Sequence, residues 1–206
     1  MQENGQNFQN VAADAQPDPV NWGKEVFEWV ACIAIAIIVA LLIKNFVFTM
    51  VKVDGQSMDP TLAHGDRLFT RVMFYNEPEQ GDIIIFNPSV SIANRSPQED
   101  VAYVKRVIAT EGQTVDITPD GDVVVDGKVL KENYISEKID LRYHSMEEQL
   151  VFPYKVPKDT VFVLGDNRNH SRDSRCAAVG AVPLDNIIGK AQFRLWPLSS
   201  FGSLYE

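Results

Sequence analysis

The sequence predicts a mainly β protein, an antiparallel β-sheet domain preceded by one N-terminal transmembrane α-helix, and three observations carry that expectation. One long apolar run lies near the N-terminus. The remainder is a succession of short β-type runs parted by turns rich in Gly, Pro, Asn and Asp. The 206 residues predict one domain, or one and a half, and with 45% of them apolar they allow a proper core. The formal net charge of −9, with no basic patch to offset it, argues against nucleic acid as a partner.

Residues 1–21 are rich in Gln, Asn, Asp and Ala without apolar period, which predicts a disordered tail. Residues 29–43 are uncharged and apolar, and flanking Val26, Phe27 and Phe46 to Phe48 extend the run, so 22–50 is expected to be a transmembrane anchor. Lys44-Asn45-Phe46 follows the run where a cleaved leader would place small residues, so the anchor is read as uncleaved. Lys24 before it and Lys44 and Lys52 after it leave the orientation undecided by charge.

Residues 51–206 are expected to form the β-rich domain. Strands are predicted over 67–74, after His64-Gly65-Asp66, and over 82–86, between Gly81 and Pro88. A polar loop at 94–100 precedes a strong strand over 101–110. The runs 114–118, 123–125 and 128–130, parted by Pro119-Asp120-Gly121 and Asp126-Gly127, read as a meander of hairpins. Residues 130–157 show no period and are expected on the surface, and strands at 161–164 and 187–195 complete the set.

Chemistry concentrates in three stretches. Just past the apolar run, Val53-Asp-Gly-Gln-Ser-Met-Asp-Pro-Thr-Leu62 sets Ser57 between Gly55, which permits a turn, and Pro60, which restrains its neighbour. By its residues alone Ser57 also reads as a serine that caps a turn, and as a nucleophile its bare hydroxyl is weak and needs a base. Asp59 occupies the second glycine position of a G-x-S-x-G elbow, and His64, His144 and His170 are scattered, so no histidine partner is indicated. In Val101-Ala-Tyr-Val-Lys-Arg-Val-Ile108, alternation puts Lys105 on one face with Tyr103 and Val107, and Arg106 on the other. Lowering a lysine pKa from about 10.4 to about 8 costs about 3 kcal/mol of solvation, which an apolar site can impose. The spacing leaves open whether Lys105 is such a base or pairs with an acidic neighbour. The third stretch, 165–175, is dense in polar residues but lacks the glycine and glutamate of an EF-hand. It reads equally as a solvated turn or as a shell that holds a catalytic side chain. Two cysteines, Cys32 and Cys176, suggest neither a disulfide nor a metal site.

Taken together these stretches resemble the type I signal peptidases, membrane-bound serine proteases with a Ser/Lys dyad. The resemblance rests on Ser57-Met58-x-Pro60-Thr61-Leu62 after the apolar run, Gly81-Asp82-Ile83-Ile84, Tyr103-Val104-Lys105-Arg106-Val107-Ile108, and Gly165-Asp166-Asn167-Arg168 with Ser171, Asp173, Ser174 and Arg175. It implies Ser57 as nucleophile and Lys105 as general base. Ser171 would hydrogen-bond the lysine, Asp173 with Arg175 would brace the loop, and Asp166 and Arg168 would be structural members of it. Met58, Leu62, Val53, Tyr103 and Val104 would line shallow pockets for small side chains. The implied substrates are signal-peptide-bearing preproteins cut after an Ala-x-Ala type site, with no cofactor. The implied setting is the cell membrane, with the N-terminus cytoplasmic and the catalytic domain on the outer face, and with lipid bilayer and export machinery as partners.

The chain departs from the family pattern at Gly55, where some members carry a serine hydroxyl, at 109–113, and at Cys176-Ala177. It resembles the shorter members, without an inserted second domain. Two rival readings are a tethered β module that binds signal peptides without cutting and a histidine-dependent serine hydrolase. Turnover of an Ala-x-Ala peptide and substitution of Lys105 or the histidines separate them.

Overall fold

The computed structural model describes residues 22–42, 48–73, 75, 77–88, 102–141 and 149–205. The expected tail over 1–21 and the polar loop at 94–100 lie outside them. The chain divides into two units, one ending at Leu41 and one beginning at Leu42.

The described part of the first unit is helix α1, Trp22–Leu42, whose last residue falls at the boundary. At about 1.5 Å per residue it is roughly 30 Å long. Its apolar side chains are exposed all along it, among them Phe27, Trp29, Ile33, Ile37 and Leu41. Lys24, Glu25 and Glu28 occupy its first two turns. Among the described residues no helix is long and apolar enough to cross a membrane. Residues 43–47, on which the expected span also draws, lie outside the described set.

Among its described residues the second unit has twelve strands, all paired antiparallel. They are β1 (Phe48–Lys52), β2 (Arg67–Arg71), β3 (Ile83–Phe86), β4 (Tyr103–Thr110), β5 (Thr114–Ile117), β6 (Val123–Val125), β7 (Lys128–Val129), β8 (Tyr154–Lys155), β9 (Thr160–Leu164), β10 (Val182–Pro183), β11 (Ile187–Trp196) and β12 (Gly202–Ser203). The larger sheet runs β1-β2-β11-β3-β4-β9-β10 with β12 on β11, and the smaller runs β7-β6-β5-β8. Residues 48–50, expected inside the anchor, belong to β1. There the β-favouring sequence Phe-Thr-Met-Val-Lys pairs in register with β2.

Strand β3 is buried throughout, because its two faces serve two cores. Ile83 and Ile85 pack with Val53, Met58, Leu62, Leu68, Val104 and Ala191. Ile84 and Phe86 face the other way, with Val107, Val161, Val163 and Val182. Strand β4 links this to a third core through a register shift between Val107 and Ala109 against β9. Beyond the shift, Ile108 and Ala109 join Val115, Val123, Val125 and Phe162 beneath the smaller sheet. The excursion over 130–157 is not wholly superficial: Ile139 and Val156 are buried in this third core, and Tyr154–Lys155 pairs with β5. Local periodicity could not reveal that, since isolated apolar residues are held there by the sheet above them.

Candidate active site

The loop between β1 and β2 is closed at its base by Val53 N–H donating to Asp66 O (2.8 Å) and Gly65 N–H to Val53 O (2.9 Å). Gly55 takes φ +100°, a conformation that favours glycine, and starts the turn toward Ser57. After Ser57, Leu62 N–H donates to Met58 O (2.8 Å), a helical turn that directs Met58 and Leu62 into the apolar cluster below. Ser57 is thereby held at the surface, half-buried, on a loop anchored from beneath.

Strand β4 brings Lys105 to it. Ile84 opposes Lys105 and Ile83 opposes Arg106, so the predicted alternation holds, but both cations are buried. Lys105, 4% exposed, donates from Nζ to Ser57 Oγ (2.7 Å) and to Val104 O (3.0 Å). Its Nζ also lies 5.2 Å from the centre of the Tyr103 ring. Burial pulls the Lys105 pKa down to about 8, against the opposing pull of the Asp173 and Asp166 carboxylates and with help from Arg175.

The 165–175 loop follows β9 and is a braced shell. Asp173 accepts from Gly165 N–H (3.0 Å) and holds the Arg175 guanidinium on both oxygens (2.8 and 2.9 Å). Arg175 in turn donates to Arg168 O (2.6 Å). Burial works to raise the Asp173 pKa, yet the Arg175 charge and these hydrogen bonds outweigh it and hold the carboxyl below its ordinary value. Asp166 takes Arg106 on both oxygens (2.9 and 2.7 Å) and accepts from Thr61 Oγ1 (2.5 Å). Arg168, fully buried, is held by the Glu132 carboxylate and donates to Gly165 O. A Cβ on Gly165 would lie 2.2 Å from Ser171 Oγ and 2.4 Å from Ser57 O, so only glycine lets this loop and the serine loop meet.

Two expectations are corrected. Ser171 does not hydrogen-bond Lys105. Its buried hydroxyl lies against Gly165 and contributes to the low Asp173 pKa, but among the described residues it makes no hydrogen bond of normal geometry. Met58, Leu62, Val53 and Val104 offer almost no surface for a pocket, because they form the apolar floor under the loop. Tyr103 is the one of that group still partly exposed.

The structure also recruits residues that sequence reasoning left without a part. Arg106 bridges Asp166 and Gly81 O (2.9 Å) and lies 3.9 Å from the centre of the Tyr134 ring. Arg194 reaches Thr61 O and pairs with Asp66. Asn167 donates from its backbone to Ser57 O (3.1 Å) and from its side chain to Gln56 O (3.0 Å). The Lys105-Arg106 and Asp166-Asn167 dipeptides marked Arg106 and Asn167 as neighbours of functional positions. Glu132, inside a stretch without period, carried no signal. His64 accepts from Gly55 N–H (3.2 Å) beside Asp54, at the loop entrance. A cavity of about 460 Å³ lies against Thr61, Arg106, Asp82, Tyr134 and Tyr205, with neither Ser57 nor Lys105 in its lining.

Residues 26–196 match the family described as signal peptidase, peptidase S26. "Signal peptidase I" of Leptolyngbya laminosa is 39% identical over 181 residues, covering 87% of this chain and 84% of the relative. "Signal peptidase I P" of Bacillus subtilis subsp. natto is 39% identical over 179 residues, covering 85% and 91%. A signal peptidase I crystal structure from Enterococcus faecalis V583 aligns at TM-score 0.42 and 28% identity, over 55% of this chain and 96% of that one. With the family pattern matched over most of the chain, and relatives at this identity aligned over most of both lengths, the chain belongs to the signal peptidase family, peptidase S26.

Proposed function

We propose that this chain is a membrane-anchored serine endopeptidase that removes signal peptides from exported preproteins, with Ser57 as nucleophile and Lys105 as general base. One observation carries the residue assignment: a buried lysine amine, its pKa lowered to about 8, lies 2.7 Å from a half-buried serine hydroxyl. Neutral Lys105 takes the Ser57 proton as Oγ attacks the scissile carbonyl, then returns it to the leaving amine. Water hydrolyses the acyl-enzyme by the same route. The Ser57 backbone N–H is the first oxyanion donor. Asp166, Arg168, Asp173 and Arg175 hold the loop that supports this pair, and the Ser171 hydroxyl lies against Gly165 of the same loop.

Cleavage after small residues, at an Ala-x-Ala type site, fits a nucleophile on a surface loop whose underlying residues are already packed. Tyr103 is the side chain best placed to meet substrate beside the dyad. The anchor is read as centred on α1. The apolar side chains exposed along α1 support lipid contact, as do exposed Met50 and Phe193, which flank Phe69 across β1, β2 and β11. On this reading the N-terminus is cytoplasmic and the catalytic domain lies at the outer face, where membrane-held preproteins and their export machinery present the cleavage site.

The test is cleavage of a preprotein in detergent by wild type, Ser57→Ala and Lys105→Ala, each shown folded by thermal unfolding. Cleavage by wild type alone is expected. Retained turnover in Lys105→Ala would overturn the dyad, and no turnover by folded wild type would favour a binding module.

A further inference from the structure

The geometry points to Asn167 as a positioning residue that aims the oxyanion donor by gripping the far end of the same peptide group. The inference rests on the Ser57/Lys105 reading and deepens it. The Gln56 carbonyl and the Ser57 N–H are opposite ends of one planar trans peptide, so fixing the carbonyl fixes the direction of the N–H. Asn167 Nδ2 donates to Gln56 O at 3.0 Å, and Asn167 N–H donates to the next carbonyl, Ser57 O, at 3.1 Å. One residue thus holds both peptide planes that meet at the nucleophile.

The serine loop needs such an external grip. Gly55, at φ +100° with nothing within 4 Å of where a Cβ would stand, puts no packing restraint on the chain entering Gln56, and Gln56 is exposed. Within the loop itself, the other hydrogen bond to Gln56 O comes from Asp59 N–H (3.1 Å). Asn167 is well placed to be the fixed point. Its neighbours Asp166 and Arg168 are both 1% exposed and tied to Arg106 and Glu132, and its own carbonyl accepts from His170 N–H (3.1 Å). Donation to the Gln56 carbonyl also polarises that peptide and makes its N–H a stronger donor. The amide side chain therefore acts on the transition state, in which charge develops on the substrate oxygen, more than on the bound substrate.

The experiment compares wild type, Asn167→Ala, Asn167→Asp and Ser57→Ala. Its readouts are kcat and KM on a preprotein, thermal unfolding, and affinity for a peptide aldehyde against the corresponding alcohol. The aldehyde accepts Ser57 Oγ at its carbonyl carbon, which leaves the oxygen in the oxyanion position; the alcohol cannot. Asn167→Ala is expected to lower kcat by about ten- to a hundredfold, below the roughly hundred- to thousandfold loss for deleting an oxyanion donor outright. KM, alcohol affinity and the pH midpoint of the acid limb are expected to stay put, while aldehyde affinity falls with kcat. Asn167→Asp keeps the size and the backbone N–H but replaces the amide donor with an oxygen facing Gln56 O. It should reproduce the effect, and it serves should the alanine variant unfold. Unchanged kcat and aldehyde affinity in both variants would overturn the inference and leave the dyad standing. So would equal losses for aldehyde and alcohol with a lowered Tm, the mark of a merely structural residue. Equal aldehyde binding by wild type and Ser57→Ala would instead overturn the dyad and the inference with it.

Discussion

Raising the pH from 7 to 9 should increase kcat/KM about tenfold and then level off. The perturbation acts on Lys105, whose pKa falls from 10.5 to about 8 because burial strips water from its ammonium. With a midpoint of about 8, about a tenth of the enzyme holds neutral lysine at pH 7 and about nine tenths at pH 9. An ordinary lysine would give a rise of roughly a hundredfold over the same interval, still climbing beyond pH 10. The sign of the stability effect follows from the same shift. Between about 8 and 10.5 the unfolded chain binds more protons than the folded one, so stability rises with pH across that window. The 2.5 units between those two values correspond to about 3 kcal/mol, an upper bound on what Lys105→Met would gain at pH 7 and lose again above pH 10.5. The assays are kcat/KM on a signal-peptide substrate from pH 6 to 10 at constant ionic strength, and urea unfolding of both proteins at pH 7 and 10. An acid limb still climbing steeply at pH 10, or a wild-type-to-Met stability difference that ignores pH, would refute the argument.

Three further outcomes follow from the loop contacts. Asp166→Asn removes a carboxylate that raises the Lys105 pKa, so the acid limb should move to lower pH. It also leaves Arg106 buried without its partner, at a cost of about 3–5 kcal/mol in urea unfolding. Gly165→Ala should abolish cleavage while leaving far-ultraviolet circular dichroism unchanged, since the new methyl would stand 2.2 Å from Ser171 Oγ and 2.4 Å from Ser57 O; a fully active Gly165→Ala would contradict the close approach of the two loops. Glu132→Gln breaks the pair with fully buried Arg168 and should lower Tm by roughly 10 °C, on a cost of about 3–5 kcal/mol. A Tm within a degree or two of wild type would show that the pair contributes little to holding the loop.

By itself the sequence determined the class of fold and marked the residues proposed for the chemistry at its centre. Turn residues between β-branched runs announced most of the strands, because turn geometry and pleat alternation are local properties. The serine flanked by Gly55 and Pro60 and the lysine set among apolar residues marked a candidate nucleophile and a candidate base, although spacing alone left open whether Lys105 pairs instead with an acidic neighbour. Tertiary structure alone decided how far each group is buried and whom it touches. It turned Met58 and Leu62 from surface lining into floor, because the helical turn between them points both into the core shared with Ile83 and Ile85. It left Ser171 without a bond to Lys105, and it brought Glu132 from an unpatterned stretch to Arg168, 36 positions away. Such contacts arise where separate loops converge on one sheet, and neither periodicity nor spacing along the chain encodes where those loops meet.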